Sequence, residues 1–576
     1  MKDPQKDEAC KKLYAEMLPR LFDYVDKNAA ERPDDTAIIE YNTDIKVSWK
    51  EFYQSTKAFA AKLLDMGIKK GDVVASMLVL LKEHVYLMYA CYRIGAIMAP
   101  LDPRLKEREL DYCFEKMKPK AFFFLGRVEV KKEGKTEVND FRPMVSSMMD
   151  KHGDTCKHWI QFDFLPNLII DGATSVREFA MDVKRCFLQA MMTGSVRDAQ
   201  KQVGKRDPCL IIFTTGSTGR PKPALICHEN VIVQNIGIKV AFDVTERDRM
   251  CVNLPPSHVG CVTEQLATTI YSGGTCVILH IFDAEKTLDA IEKYKITAFG
   301  QIPSLFAMQW RLPNYSRYDL SSLRFALYGG QAVTREFLEK LSKMAPKFGS
   351  GLGLTETAGF VTYTPLDGTV DDIASSIGFD MPLCPISIRD PMKPDGTAGD
   401  PKPKGQVGEI TFSGPQIFLG YMNDEENTRK TVSKDDFCYT GDLGFYDEKG
   451  LHFAGRSKFV IKPKGYQVYP AEIEDFIADQ LKDKVELVAV IGVPHDVFTE
   501  GAMAFVEKKE GAVLSLTDVT KVCKDMAAYK RPNHVVILNE GEIPLNRVNK
   551  TDYIALKKQA LKIVDELRSK GKWDKA

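Results

Sequence analysis

Residues 213–222 read Phe-Thr-Thr-Gly-Ser-Thr-Gly-Arg-Pro-Lys, which gathers four hydroxyls, two glycines and two cations into ten positions. Gly216 and Gly219 allow positive φ, so successive N–H groups can turn inward as an anion-binding nest. Thr214, Thr215, Ser217 and Thr218 add hydroxyl donors, and Arg220 and Lys222 add the charge that a polyphosphate requires. The spacing is not G-x-x-x-x-G-K-[ST], which separates the loop from the Walker type of kinases and GTPases. A Gly/Ser/Thr loop with a lysine is, by itself, more often an ordinary turn. The rest of the chain has to decide between the two.

The elements that must hold such a loop show in the hydrophobic pattern. Cys209–Phe213, just before it, is a buried-type apolar run. Upstream, Leu21–Ala29 is amphipathic, Ser48–Leu64 reads as a helix with Ser48 as its cap, and Glu83–Ile94 as a helix stopped by Gly95. Val73–Ala75 after Gly71-Asp72 reads as a strand. This alternation argues for an α/β fold of parallel sheets with crossover helices. Residues 127 to about 205 are less regular and predict two helices near 175–200. Asp390–Gly408, with four prolines and four glycines, is a loop leading into a strand over Glu409–Ser413. The tail offers a helix from Ala471, strands at Leu487–Val493 and Ala502–Val506, and a closing helix from Asp552.

Composition narrows the function. The 576 residues are 44% hydrophobic and 27% charged, which is ordinary for a globular protein. Lys plus Arg equals Asp plus Glu, 79 against 79, so there is no basic footprint for nucleic acid. The charged first twelve residues lack a signal-peptide core, and apolar runs such as Val73–Leu81 are too short to span a bilayer. A cytoplasmic protein is expected. The thirteen cysteines form no C-x-x-C pair and the nine histidines no H-E-x-x-H, so reduced core cysteines are expected rather than zinc or disulfides.

Further segments follow in order: Tyr328-Gly-Gly-Gln-Ala332, Gly351-Leu-Gly-Leu-Thr-Glu-Thr357, Tyr439-Thr-Gly-Asp442, Gly455-Arg-Ser-Lys-Phe459, Lys462-Pro-Lys-Gly-Tyr-Gln-Val468, Tyr529-Lys-Arg-Pro532 and Pro544-Leu-Asn-Arg-Val-Asn-Lys550. With the opening loop they resemble the adenylate-forming superfamily of acyl-CoA synthetases, peptide-synthetase adenylation domains and luciferases. The resemblance runs from about Ser48 to Tyr553. It implies a large N-terminal domain, residues 1–457, of sheets flanked by helices plus a β-subdomain. A small mobile α+β domain, residues 458–576, follows.

The resemblance also implies roles. Thr214, Thr215, Gly216, Ser217, Thr218, Gly219 and Lys222 would hold the β- and γ-phosphates of ATP. Gly330, Gln331, Leu352 and Gly353 would surround the nucleotide, Thr355 would touch phosphate, and Glu356 would bind Mg²⁺. Asp442 would take the ribose hydroxyls from a loop after a strand, with Arg456 close to the nucleotide. Lys458 would be the hinge, Lys464, Gly465 and Tyr466 the face toward coenzyme A, and Lys550 the adenylation lysine. The acyl pocket would be lined by His258, Val259, Gly260, Gly300, Tyr328, Gly329 and Phe360. The pair Glu472 and Glu474 instead reads as acids in a first helical turn after Pro470, suited to the helix dipole.

Three positions depart from the family pattern. Pro223 follows the loop where glycine is usual, Leu352 stands where an aromatic often stacks on adenine, and Phe459 stands where an acid is common. Leu254–Gly260 has no acid of the kind that peptide-synthetase domains use for an α-amino group, which speaks against amino-acid activation. Leu352 and Leu354 replace the tryptophan that shortens acetyl-CoA synthetase pockets. A carboxylate–CoA ligase for a medium-chain, branched, alicyclic or aromatic acid is therefore expected, using ATP, Mg²⁺ and coenzyme A. The alternatives are a module that loads an acyl carrier protein and a luciferase-like oxygenase.

Overall fold

The computed structural model describes residues 2–574 except 133–134, 164–167, 215–220, 332, 457–458, 462, 464–467, 498, 528–529 and 547–549. Two large sheets carry the N-terminal part. One has seven strands in the order Phe348–Gly351, Phe325–Gly329, Ala298–Gln301, Arg249–Val252, Thr275–Ile278, Thr36–Glu40 and Ile45–Ser48. All its pairs are parallel except the last. The other has eight strands and is parallel from Pro208–Thr214 through Ile97–Pro100, Val73–Met77, Ala121–Leu125 and His158–Phe162 to Thr174–Ser175. Its opposite edge is antiparallel, with Lys222–Cys227 and then Gly420–Tyr421.

Strands covered on both faces need apolar residues at every position, and Ala-Phe-Phe-Phe-Leu at 121–125 is buried throughout. Each such phenylalanine contributes roughly 1.5–3 kcal/mol by leaving water. Between the sheets runs the helix His228–Ala241, with twelve of its fourteen residues buried, which explains why it shows no polar face. Ser48 caps the helix Trp49–Asp65 as expected: Glu51 N donates to Ser48 Oγ at 3.2 Å and Ser48 N to Glu51 Oε2 at 2.8 Å.

The region 127–205 contains the expected helices, Val176–Thr193 and Ser195–Lys201. It also holds a hairpin, Arg127–Lys132 with Lys135–Asp140, and a helix, Arg142–His152, that the pattern did not announce. A four-stranded antiparallel sheet of Ile386–Arg389, Gly408–Phe412, Cys438–Asp447 and Gly450–Arg456 forms the β-subdomain. All thirteen cysteines are buried and free. No helix among the described residues is long and apolar enough to cross a membrane.

The C-terminal part is a small β/α domain with its own apolar clusters. Its sheet joins Val485–His495, Thr499–Lys508 and His534–Leu538, flanked by the helices Pro470–Gln480 and Tyr553–Ser569. Glu474 corrects the first-turn reading of that helix. Its carboxylate faces the sheet, accepting from Val490 N at 2.7 Å and Tyr553 Oη at 3.2 Å, and burial pushes its pKa up to about 7. Glu472 stays outward and pairs with Lys530. The ion pairs Arg311–Glu540 and Lys509–Glu336 join this domain to the larger one.

Candidate active site

The carboxyl ends of parallel strands from both large sheets open into one cavity of about 1260 Å³. Ligands of open α/β sheets bind at such ends, where loops leave the strands. Thr214 ends its strand opposite Lys222, with Lys222 N donating to Thr214 Oγ1 at 3.3 Å, and both residues line the cavity. The Lys222 ammonium lies 4.7 Å from the centre of the Tyr421 ring. Thr215, Gly216, Ser217, Thr218 and Gly219, between these posts, lie outside the described residues. Pro223 pairs with Phe213 in the ladder, and its carbonyl accepts from Met422 N at 2.9 Å, so it braces the strand.

A 3₁₀ turn, Thr355–Thr357, brings Thr355 and Glu356 to the same wall. It is clamped from residues 416–421. Gln416 Nε2 donates to Thr357 O at 2.9 Å, Phe418 N to Glu356 O at 2.9 Å, and Tyr421 Oη to Glu356 Oε1 at 2.5 Å. A charge-assisted bond of that length orients the carboxylate firmly. Among the described residues no group of three or more His, Cys, Asp or Glu could form a metal cage. One oriented carboxylate fits a hard cation held mainly by phosphate oxygens.

Lys550 reaches the cavity from the other domain. Its loop is closed by Asn546 N donating to Lys550 O at 2.7 Å and Lys550 N to Asn546 Oδ1 at 3.1 Å. The side chain passes over Gly330, which has φ +93°. A Cβ there would stand 3.4 Å from Lys550 Cε and 3.6 Å from Nζ. The positive φ is what calls for glycine at 330, since a Cβ there would make only ordinary contact with the lysine.

His258, Val259, Gly260, Gly300, Tyr328, Gly329 and Phe360 all line the cavity, as do Gly330 and Gly353. Burial lowers the His258 pKa to about 4, so its imidazole is neutral near pH 7. The expected positions do not all converge. Leu352 donates its N–H to Thr362 Oγ1 at 2.8 Å and packs its side chain against the main core. Gln331 is exposed just past its strand.

Asp442 corrects the loop assignment: it lies inside the strand Cys438–Asp447, 3% exposed, opposite Arg456 in the ladder. Its neighbours Thr440 and Gly441 line the cavity, as does Glu409, whose Oε1 accepts from Gly441 N at 3.0 Å. Burial and then the Asp442 charge raise the Glu409 pKa. The hinge and coenzyme A positions, Lys458, Lys464, Gly465 and Tyr466, lie outside the described residues, as does the Arg456 side chain.

Two parts of the wall had no expected role. The hairpin and helix of the 127–152 region contribute Val128, Asn139, Asp140, Phe141 and Met144. The π-helix Gly260–Ala267 contributes Glu264 and Gln265. Such i→i+5 turns are rare and cluster at functional sites. Glu264 had one visible signal, being the only Asp, Glu, Lys or Arg between Arg249 and Asp283.

Fold and cavity together define the class of adenylate-forming enzymes. The AMP-binding enzyme profile matches residues 25–422 and the AMP-binding enzyme C-terminal domain profile residues 469–550, so the chain belongs to the AMP-binding enzyme family. Its relatives are acid–thiol ligases. It is 28% identical over 540 residues to the indoleacetate–CoA ligase of Aromatoleum aromaticum, covering 92% of this chain and 97% of that one. It is 27% identical over 522 residues to the mitochondrial medium-chain acyl-CoA ligase of Danio rerio, covering 88% and 83%. The crystal structure of ATP-bound MatB from Rhodopseudomonas palustris shares the fold, with a TM-score of 0.75, 24% identity, and 95% and 100% of the two chains covered.

Proposed function

We propose that the protein is an AMP-forming carboxylate–CoA ligase for an acid larger than acetate. The observation that carries this reading is the meeting of Lys550 with Thr214, Lys222, Thr355 and Glu356 around one cavity. Pockets of about 300–1,000 Å³ suffice for drug-sized ligands. A cavity of about 1260 Å³ therefore supports an acid and a nucleotide held together.

A carboxylate resists attack because incoming electrons add to existing negative charge. In the first half-reaction the acid's oxygen attacks the α-phosphorus of ATP and pyrophosphate leaves, giving an acyl-adenylate. Thr214 and Lys222, at the posts of the phosphate loop, hold the leaving phosphates. The Lys550 ammonium bridges the acid's carboxylate and the α-phosphate, offsetting charge as it moves. Glu356, oriented by Tyr421, is the residue that would hold Mg²⁺, which when bound neutralises phosphate charge. Asp442, with Arg456, serves the ribose side.

In the second half-reaction the thiol of coenzyme A attacks the acyl carbon, and AMP leaves with the bonding electrons. The protein's contribution to both is positioning and neutralisation. We assign residues 1–457 to the adenylating domain and 458–576 to a domain that turns about Lys458, carrying Lys550 away and Lys464, Gly465 and Tyr466 in. A cytoplasmic setting suits thirteen reduced cysteines.

The test is a panel of medium-chain, branched, alicyclic and aromatic acids with ATP, Mg²⁺ and coenzyme A. At least one acid should yield pyrophosphate, AMP and acyl-CoA in equal amounts. Adenylation followed only by transfer to a carrier protein, or by light or CO₂ release, would contradict the ligase reading.

A further inference from the structure

Glu264 places a carboxylate in the wall of the cavity that Lys550 also faces. Its side chain lies between Gly260 and the Gly359–Phe360 strand. A Cβ at 359 would stand 2.8 Å from Glu264 Cγ and Oε1, and one at 260 would stand 3.7 Å from Oε2. Gly359, at φ +127°, thus keeps open the space that the carboxylate fills.

Leu254 shares the space beside Gly260 with Glu264, its Cδ1 standing 3.0 Å from a Cβ placed there, and the cavity lining also carries the apolar Ile238, Met250, Leu327 and Phe360. Among the described residues no side chain forms an ion pair with the Glu264 carboxylate. Burial pushes its pKa up to about 7, while the Phe360 N–H and the Lys550 charge pull the other way. A Cβ at Gly329 would stand 2.8 Å from the Phe360 ring and one at its neighbour Gly330 3.4 Å from Lys550 Cε, so the Gly359–Phe360 strand beside Glu264 lies next to the turn that Lys550 crosses. A second polar group shares this spot. Gln234 Nε2 is buried without a hydrogen-bond partner among the described residues, and lies 3.1 Å from the same Cβ position at 359.

A wall built for hydrocarbon would not hold a half-buried carboxyl group here, because an acid set against apolar surface without a partner costs stability. A carboxylate has about four acceptor positions. We propose that Glu264 reads the acyl substrate, and that the acid activated by this protein carries a hydroxyl, phenol or ammonium donor a few bonds from its carboxyl group. The donor bonds to the Glu264 carboxylate. An unsubstituted acid leaves Glu264 desolvated and unpaired, and above the Glu264 pKa of about 7 a second carboxylate on the substrate meets like charge. The segment Leu254–Gly260 lacks an acid, but the π-helix that follows supplies one to the same pocket. This inference rests on the ligase reading above.

The experiment compares matched acids: hexanoate with 2- and 3-hydroxyhexanoate, benzoate with 2-hydroxy- and 2-aminobenzoate, and adipate as the dicarboxylate. The readout is kcat/KM for acid-dependent pyrophosphate release in the parent, Glu264→Gln and Glu264→Leu. The parent should favour at least one donor-bearing acid over its unsubstituted partner by about tenfold or more, because a site built to bond a donor rejects analogues lacking it. Glu264→Leu should reverse that ratio by raising kcat/KM for the unsubstituted acid. Glu264→Gln should retain part of any hydroxyl preference through its amide oxygen and lose any ammonium preference.

A carboxylate that only holds Phe360 in place would slow all acids alike in Glu264→Leu, and an unmoved ratio overturns the proposal. A parent that prefers the unsubstituted acids overturns it as well. If Glu264→Leu does not fold, the ratio in Glu264→Gln decides. Failure of the parent to turn over any acid, with or without a donor, would instead bring down the ligase reading and this inference with it.

Discussion

At the end of the cavity that we propose handles the phosphates, the chemical groups come from short contiguous turns. Thr214 and Lys222 close one strand pair, and Thr355 and Glu356 share one 3₁₀ turn. At the proposed acyl end, His258 and Glu264 come from one segment at the π-helix, Gly300 and Leu327 are partners on neighbouring strands of the seven-stranded sheet, and Phe360 comes from a separate short strand, so the wall is assembled from three distant parts of the chain. The difference follows the chemistry. Every acid needs the same phosphate handling, which a few fixed turns supply. On the proposed reading, the acid is recognised by a surface that must be assembled from several elements and can vary without disturbing those turns.

The contrast breaks first, and hardest, at the phosphate end. Glu356→Ala should lower kcat for pyrophosphate release by about 10²-fold or more with every acid, as loss of a key electrostatic group does. Tyr421→Phe removes only the hydroxyl that orients Glu356 and should cost about tenfold or less. Steady-state kinetics across two unlike acids checks both. A loss that depended on the acid would erase the division between the two ends.

A smaller effect sharpens the acyl end. The Glu264 pKa stands at about 7 in the folded protein, above its ordinary value of 4.5. A raised carboxyl pKa contributes stability that is fully present below the unfolded pKa and is lost as pH rises through the folded one. The melting temperature of Glu264→Gln minus that of the parent should therefore grow between pH 5 and pH 8, by roughly 1–3 °C. Glu474, also raised to about 7, titrates in both proteins and cancels in the difference. A difference that is flat across this range would place Glu264 in water rather than in an apolar wall.

These two ends also differ in how far the chain announces them. Glycines, hydroxyls and lone charges at fixed spacing mark the phosphate groups and Lys550, and the alternating apolar pattern marks the parallel sheets. Glu264 has no spacing partner, and its position as a single charge in a long uncharged run was its only signal. The hairpin 127–140 was easily missed because its strands are charged along much of their length and offer only Val128, Val130 and Val138 as an alternating apolar signal. Asp442 was misassigned to a loop because Thr-Gly-Asp has turn chemistry, whereas the ladder with Gly450–Arg456 carries the strand on through it. Glu474 was misread because it lies beyond the first helical turn, which holds Glu472, on the side that faces the amide of Val490.

The central claim is that Lys550 completes the adenylating cavity. The most direct test is acid-dependent exchange of labelled pyrophosphate into ATP, without coenzyme A, in the parent and in Lys550→Ala. Transfer from a preformed acyl-adenylate to coenzyme A is measured alongside. Exchange should fall by about 10²–10³-fold in the variant while transfer persists. Undiminished exchange in Lys550→Ala, or an equal loss of both reactions, would contradict the claim.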